Sequence, residues 1–122
     1  MARLFPLWMI VGVLCLPVKI DAQNQLIELA DIQVVNTLSA LVQDPTSFPL
    51  KGVLVQEFTS DWKTVLRTAV TDQQGRFKFA NVQDRKIYYL QLSTPGFDSL
   101  RLRVRVDGKR GTALKLKLTL AT

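Results

Sequence analysis

The 122-residue chain contains no histidine. That absence removes an imidazole general base, a histidine metal ligand and a histidine pH switch together. Cysteine is nearly absent. Cys15 is the only one and lies in the apolar first twenty residues, so the chain beyond it has no thiol and no disulfide. Packing alone must then hold the fold. No Gly-x-Ser-x-Gly elbow, P-loop or Cys-x-x-Cys motif occurs. A serine nucleophile would find only lysine or a carboxylate as its activating base. No catalytic residue, cofactor or metal site is therefore expected. A hydrolase of unknown type stands as the remaining catalytic alternative. Acidic residues are in the minority: 16 Lys and Arg face 10 Asp and Glu, a formal net charge of +6.

Residues 1–22 read as a secretory signal peptide. Arg3 supplies a positive start, Leu4 to Leu16 is apolar apart from Pro6 and Gly12, Pro17 breaks the run, and Ala22 is a small residue at a cleavage point. The apolar run is shorter than the ~20 residues that span a bilayer, so no transmembrane segment is expected after cleavage. Export to the periplasm or outside the cell is the expected localisation. Nucleic acid is then a poor partner for the positive charge. Residues 23–37 follow as an N-terminal arm. The spacing of Leu26, Ile27, Leu29, Ile32, Val34 and Val35 fits a short helix as well as an extended segment.

From residue 38 to 122 the pattern is that of one β domain. Strands are predicted at Leu38 to Gln43, Lys51 to Phe58, Thr64 to Thr71, around Phe77 and Phe79, at Ile87 to Leu92, Leu100 to Val106 and Ala113 to Leu120. Between them lie turn signals with mechanical reasons. Asp72 can hydrogen-bond the backbone two residues on, and Gly75 supplies positive φ. Pro95-Gly96 closes another strand, with Phe97 as an anchor into the core. Asp107 to Gly111 reads as a glycine-flanked hairpin turn. Short strands without a convincing long helix give a β-sandwich.

The segment Thr71-Asp72-x-x-Gly75-x-Phe77-x-Phe79, followed by Tyr88-x-Leu90-x-Leu92-Ser93-x-Pro95-Gly96-Phe97, resembles the carboxypeptidase regulatory-like domain. The likeness extends upstream to Leu41 through Pro45 and to Pro49 through Val55. Ser47 and Phe48 stand where that family usually has a Gly-x turn. The resemblance covers about Leu38 to Leu120. It implies an all-β, seven-stranded antiparallel Greek-key β-sandwich of transthyretin-like type, and it carries no ligand with it. Enzymes that share this architecture, the hydroxyisourate hydrolases and the intradiol dioxygenases, use histidines that this chain lacks.

Two surface patterns stand out from the core. Arg101, Arg103 and Arg105 alternate with Leu102, Val104 and Val106, and Lys115 and Lys117 alternate with Leu114, Leu116 and Leu118. Period two puts all five charges on outward faces. Paired as a hairpin they would form one basic ladder, whose like charges destabilise unless carboxylates or an anionic partner face them. Anionic glycan, lipopolysaccharide, phospholipid headgroup or an envelope protein fits an exported partner. A solvated face that blunts an edge strand is the plainer reading. Trp62 in a polar loop and Tyr89, with Tyr88 as a third, are candidates for stacking on sugar rings, as in a carbohydrate-binding module. The plainer alternative has Trp62 capping one end of the core. The turn at Asp72 and Gly75 has too few carboxylates for Ca²⁺. The expected function is a non-enzymatic exported module with a binding or structural accessory role.

Overall fold

The computed structural model describes residues 25–122. The expected leader, with Cys15, lies outside the described residues. The described chain is all β: β1 (Leu26–Glu28), β2 (Gln33–Gln43), β3 (Leu54–Phe58), β4 (Val65–Val70), β5 (Arg76–Lys78), β6 (Ile87–Ser93), β7 (Ser99–Val106) and β8 (Thr112–Lys117). Eight strands therefore replace the seven expected. The additional one is β1, from the stretch that spacing left open between helix and arm. That stretch is extended because it lies along the edge of β7: Leu26–Glu28 pairs with Ser99–Arg101, and Gln33–Val35 pairs with Val104–Val106. Asp98 pins its start by accepting the amide of Gln25 at 2.9 Å.

The strands run in the order β4-β3-β6-β7-β2-β5, with β1 added on β7 and β8 on β2. The pivot is β2. Its first residues complete the layer β4-β3-β6-β7, and after a register irregularity between Val35 and Ala40 its second half sits between β5 and β8 in the other layer. The sandwich is mixed rather than purely antiparallel. β1 and β2 run parallel to β7, and β8 runs parallel to β2. Parallel neighbours need long crossovers, and each of these pairs joins strands that are not consecutive in the chain.

Alternation fills the space between the layers. Leu38, Ala40 and Val42 of β2 face Val55, Leu90, Leu92, Leu102 and Val104, all buried. Tyr88 also points inward, and its hydroxyl accepts the amide of Gln83 at 2.8 Å. That removes Tyr88 from the surface candidates. Full burial of such side chains contributes about 1.5–3 kcal/mol each, which is how a core without a disulfide holds. The buried hydroxyl of Thr71 donates to Leu50 O at 2.7 Å and accepts Val53 N at 2.9 Å, so the β3–β4 ladder ends without an orphaned polar group.

The turns are built by short side chains. Asp72 Oδ1 accepts the amides of Gln74 and Arg76, both at 2.9 Å, and Gly75 takes φ +77°. Thr94-Pro95-Gly96-Phe97 closes as a turn with Gly96 at φ +88° and Phe97 N donating to Thr94 O at 3.3 Å. Ser47 takes φ +73°, the left-handed conformation that glycine adopts freely. Asp107 to Gly111 is not a hairpin turn. Asp107 N donates to Val35 O at 2.8 Å, and the segment carries the chain from the larger layer to the smaller one.

Candidate binding face

The expected basic ladder is divided. β7 pairs with β6 and with the outer strand made of β1 and β2, whereas β8 pairs with β2 alone. Both sides of β7 are occupied, so β8 has no place beside it. Arg101, Arg103 and Arg105 therefore lie on the outer face of the larger layer. Lys115 and Lys117 lie on the outer face of the smaller one. There Lys115 shares a cross-strand row with Leu41 and Arg76, and Lys78 stands opposite Ser39. A groove of about 450 Å³ runs along this row, lined by Leu41, Arg76, Lys78 and Lys115, with Asp72 as a counter-charge. The lysines keep a second carboxylate nearby, since the charge of Lys117 acts on Asp44. Arg76 and Lys78 were not singled out beside Lys115, because only the pairing of β2 with both β5 and β8 brings them together.

The larger layer holds the more structured cluster. Phe58 of β3, Tyr89 of β6 and Arg103 of β7 form one cross-strand row on the outer face. Gln91 and Arg101 form the next row. The β3–β4 loop folds Trp62 onto this surface. Thr59 O accepts Trp62 N at 2.9 Å, Asp61 Oδ1 accepts the Thr59 hydroxyl at 2.6 Å and Lys63 N at 3.0 Å, and Thr59 Oγ1 accepts Thr64 N at 3.2 Å. Those bonds, the Thr59 hydroxyl first and the Lys63 amide second, hold the Asp61 carboxyl below the usual carboxylate range.

Trp62 itself sits at φ +63°. A bulky side chain at that backbone conformation costs about 1–2 kcal/mol relative to glycine. Its contacts offset the cost. The Trp62 ring meets Tyr89 edge-on at 5.5 Å and Phe58 at 5.6 Å, and the Arg101 guanidinium carbon lies 4.5 Å over the indole. Arg101 Nε donates to Gln91 Oε1 at 2.9 Å, which fixes the guanidinium over the ring. Arg103 donates to the Ala30 carbonyl. Arg105 lies exposed beside Ile87 and Val34.

Trp62 and Tyr89, singled out separately from the arginines, thus share one face with Arg101 and Arg103, and Trp62 lies across the outer surface of the larger layer and not over an end of the core. Phe58 joins them unpredicted. Its place at the end of the strand expected from Lys51 to Phe58 was legible, but nothing in the loop composition showed that Trp62 would fold back over it. The face presents the side chains of Phe58, Trp62 and Tyr89, two half-buried arginines and a glutamine. The cluster offers no nucleophile with an activating base. Among the described residues no three of Asp, Glu, Cys or His gather as metal ligands.

An all-β sandwich of eight short strands, with an aromatic and arginine cluster on one sheet face, defines the class as a small β-sandwich module. The chain belongs to the carboxypeptidase regulatory-like domain family, whose model matches residues 37–119. Modules of this family are typically non-catalytic. No curated protein matches the chain.

Proposed function

We propose that the protein is an exported, non-enzymatic binding module that takes an anionic saccharide on the outer face of β4-β3-β6-β7. The observation that carries this reading is the seating of Arg101 over Trp62 at 4.5 Å, with Tyr89 5.5 Å from the same indole. A sugar ring needs an aromatic platform, and an acid group on that sugar needs a cation within reach of the platform. Both are supplied by side chains whose positions are fixed before any ligand arrives, which limits the entropy lost on binding. The backbone strain at Trp62 supports the same reading, since left-handed bulky residues persist where the surrounding structure holds them for a purpose. Retention of a signal-peptide pattern in residues 1–22 supports an extracytoplasmic ligand.

The test is binding of the protein to an acidic polysaccharide, to lipopolysaccharide and to a neutral glycan, at low and high salt. Trp62→Ala is expected to weaken binding of the acidic ligands at least ~10-fold at either salt concentration, as loss of a stacking aromatic does. Arg101→Gln is expected to weaken it mainly at low salt and to flatten its salt dependence. Acidic-ligand binding that survives Trp62→Ala unchanged would refute the assignment of this face, and salt-dependent binding lost in Lys115→Gln instead would move the site to the smaller layer.

A further inference from the structure

Among the described strands, β1, β4, β5 and β8 each leave one edge without a strand beside it. Such edges invite pairing, and proteins normally guard them with charges, prolines or shortness. β1 and β5 are three residues long and carry Glu28, or Arg76 and Lys78. β8 carries Lys115 and Lys117. The six residues of β4 are different. Arg67 is their only charge, and it is turned into the sandwich, where Nε binds the Glu57 carboxylate and Nη1 donates to Ala80 O. The rest of the strand exposes Leu66 (56%), Val70 (59%) and Val65 (41%).

The unguarded edge is complementary to itself in one register. Thr71 N donates to Val53 O, so by antiparallel alternation Ala69 and Arg67 also point their backbone groups at β3. Thr68 and Val70 then aim theirs at the free edge, and the alternation continues to Leu66 beside the bulge. We propose that two copies of this chain join through β4, antiparallel, about a two-fold axis at Thr68. In that register Thr68 faces Thr68, and Leu66 faces Val70 on both sides of the axis. These are hydroxyl and apolar cross-strand pairs that stabilise a ladder. Arg67 faces Ala69, so the one charge of the strand does not meet its own copy. Moving the axis to Arg67 would oppose two arginines and turn outward the groups already bonded to β3. The pairing extends β4-β3-β6-β7 into one continuous sheet carrying two Trp62 faces, which lets a polymeric ligand engage both.

Sedimentation velocity on the protein expressed from its full sequence tests this, from dilute to millimolar concentration. A dimer that dissociates on dilution is expected, in the weak range that a small interface gives. Thr68→Lys sets two ammonium groups opposite each other and is expected to weaken dimerisation at least ~10-fold. Thr68→Pro removes the N–H at the axis without breaking a β3 bond and is expected to do the same. Amide exchange on the unmodified protein gives a reading that needs no variant: the Thr68 amide should become more protected as concentration rises, and the Ala69 amide should not. A dimer that persists in Thr68→Lys, a chain monomeric at every concentration with Thr68 exchange unchanged, or an edge found occupied by a strand of a different protein would each overturn the proposal.

Discussion

Gly75 and Gly111 are both fixed by the backbone around them, for different reasons. Gly75 combines a left-handed conformation, φ +77°, with close neighbours: an added Cβ would lie 2.7 Å from Val42 O and 2.9 Å from Pro49 Cβ. Gly111 needs no special φ, but a Cβ there would lie 2.0 Å from the Val35 carbonyl carbon and 2.2 Å from its oxygen. At Gly111 the chain that leaves β7 passes directly under the bend of β2, and only a residue without a side chain fits. Gly75→Val is expected to destabilise by about 2 kcal/mol or more, strain and overpacking acting together. Gly111→Ala is expected to cost at least about 2 kcal/mol because the neighbour is backbone and cannot rotate away. Gly108, with open space around it, is the control, and Gly108→Ala should be close to neutral. Urea denaturation of the three variants checks this, and a Gly111→Ala protein as stable as the parent would contradict the close approach of the two segments. Gly75 was legible in the sequence, since Asp-x-x-Gly before an alternating Phe-x-Phe reads as a turn. Gly111 was legible only as another turn glycine, because its constraint comes from a strand far away in the chain.

At the scale of strands, local alternation was a good guide to which residues face the core and a poor one to which strand lies beside which. Period two turned Leu102, Val104 and Leu116 inward and Arg103 and Lys115 outward, as expected, yet β7 and β8 are not a hairpin. Neighbours are chosen by long-range competition, and β1 and β2 occupy the edge of β7 that β8 would have needed. For the same reason Leu26 to Val35 could not be assigned between helix and extended chain: the partner that decides it is some seventy residues further on. The pairing of β3 with β4 hides one more feature. Glu57 is 5% exposed in a row that otherwise reads Val53 and Val55, and Arg67 opposite it supplies the counter-charge while also tying down Ala80 O, after β5. The Arg67 guanidinium carbon also lies 4.9 Å over the Phe79 ring. Arg67 thus clamps β4 to β3 and to the segment after β5. Arg67→Met is expected to destabilise by about 2–3 kcal/mol, below the cost of breaking a fully buried pair because Arg67 is partly exposed. The double variant Arg67→Met with Glu57→Gln should recover part of that loss, since no uncompensated charge is left. A double variant no more stable than Arg67→Met alone would show that the clamp acts through packing and not through the ion pair.

The whole molecule has an unusually simple titration. Without histidine, no side chain of ordinary pKa changes charge between about pH 5 and 8. Among the described residues three carboxylates, each closing a different loop, are held below the usual range. At Asp44 the amide of Phe48 is the main cause, followed by the hydroxyl of Thr46, its amide and the charge of Lys117. At Asp61 it is the hydroxyl of Thr59 and then the amide of Lys63. At Asp107 it is the amides of Arg110 and Lys109, aided by the charges of Arg110 and Arg85. In each case the folded state holds its proton less readily than the unfolded state. Their stabilisation is therefore complete above the ordinary aspartate value of about 3.9, and it fades as pH falls through the lowered folded values. Thermal melts should accordingly be flat from pH 8 to about pH 5 and decline only below about pH 4. Growing positive charge acts in the same direction, since the chain already carries +6 at neutral pH, but that repulsion is screened by salt. Hydrogen bonds to an ionised turn carboxylate are short-range, and salt restores them little. Melts at acid pH with and without added salt separate the two contributions. The Asp44→Asn, Asp61→Asn, Asp107→Asn triple variant should melt lower than the parent at pH 6 and lose less on acidification. A parent whose melting temperature already falls between pH 7 and pH 5 would contradict this account, because nothing in these three loops changes protonation there.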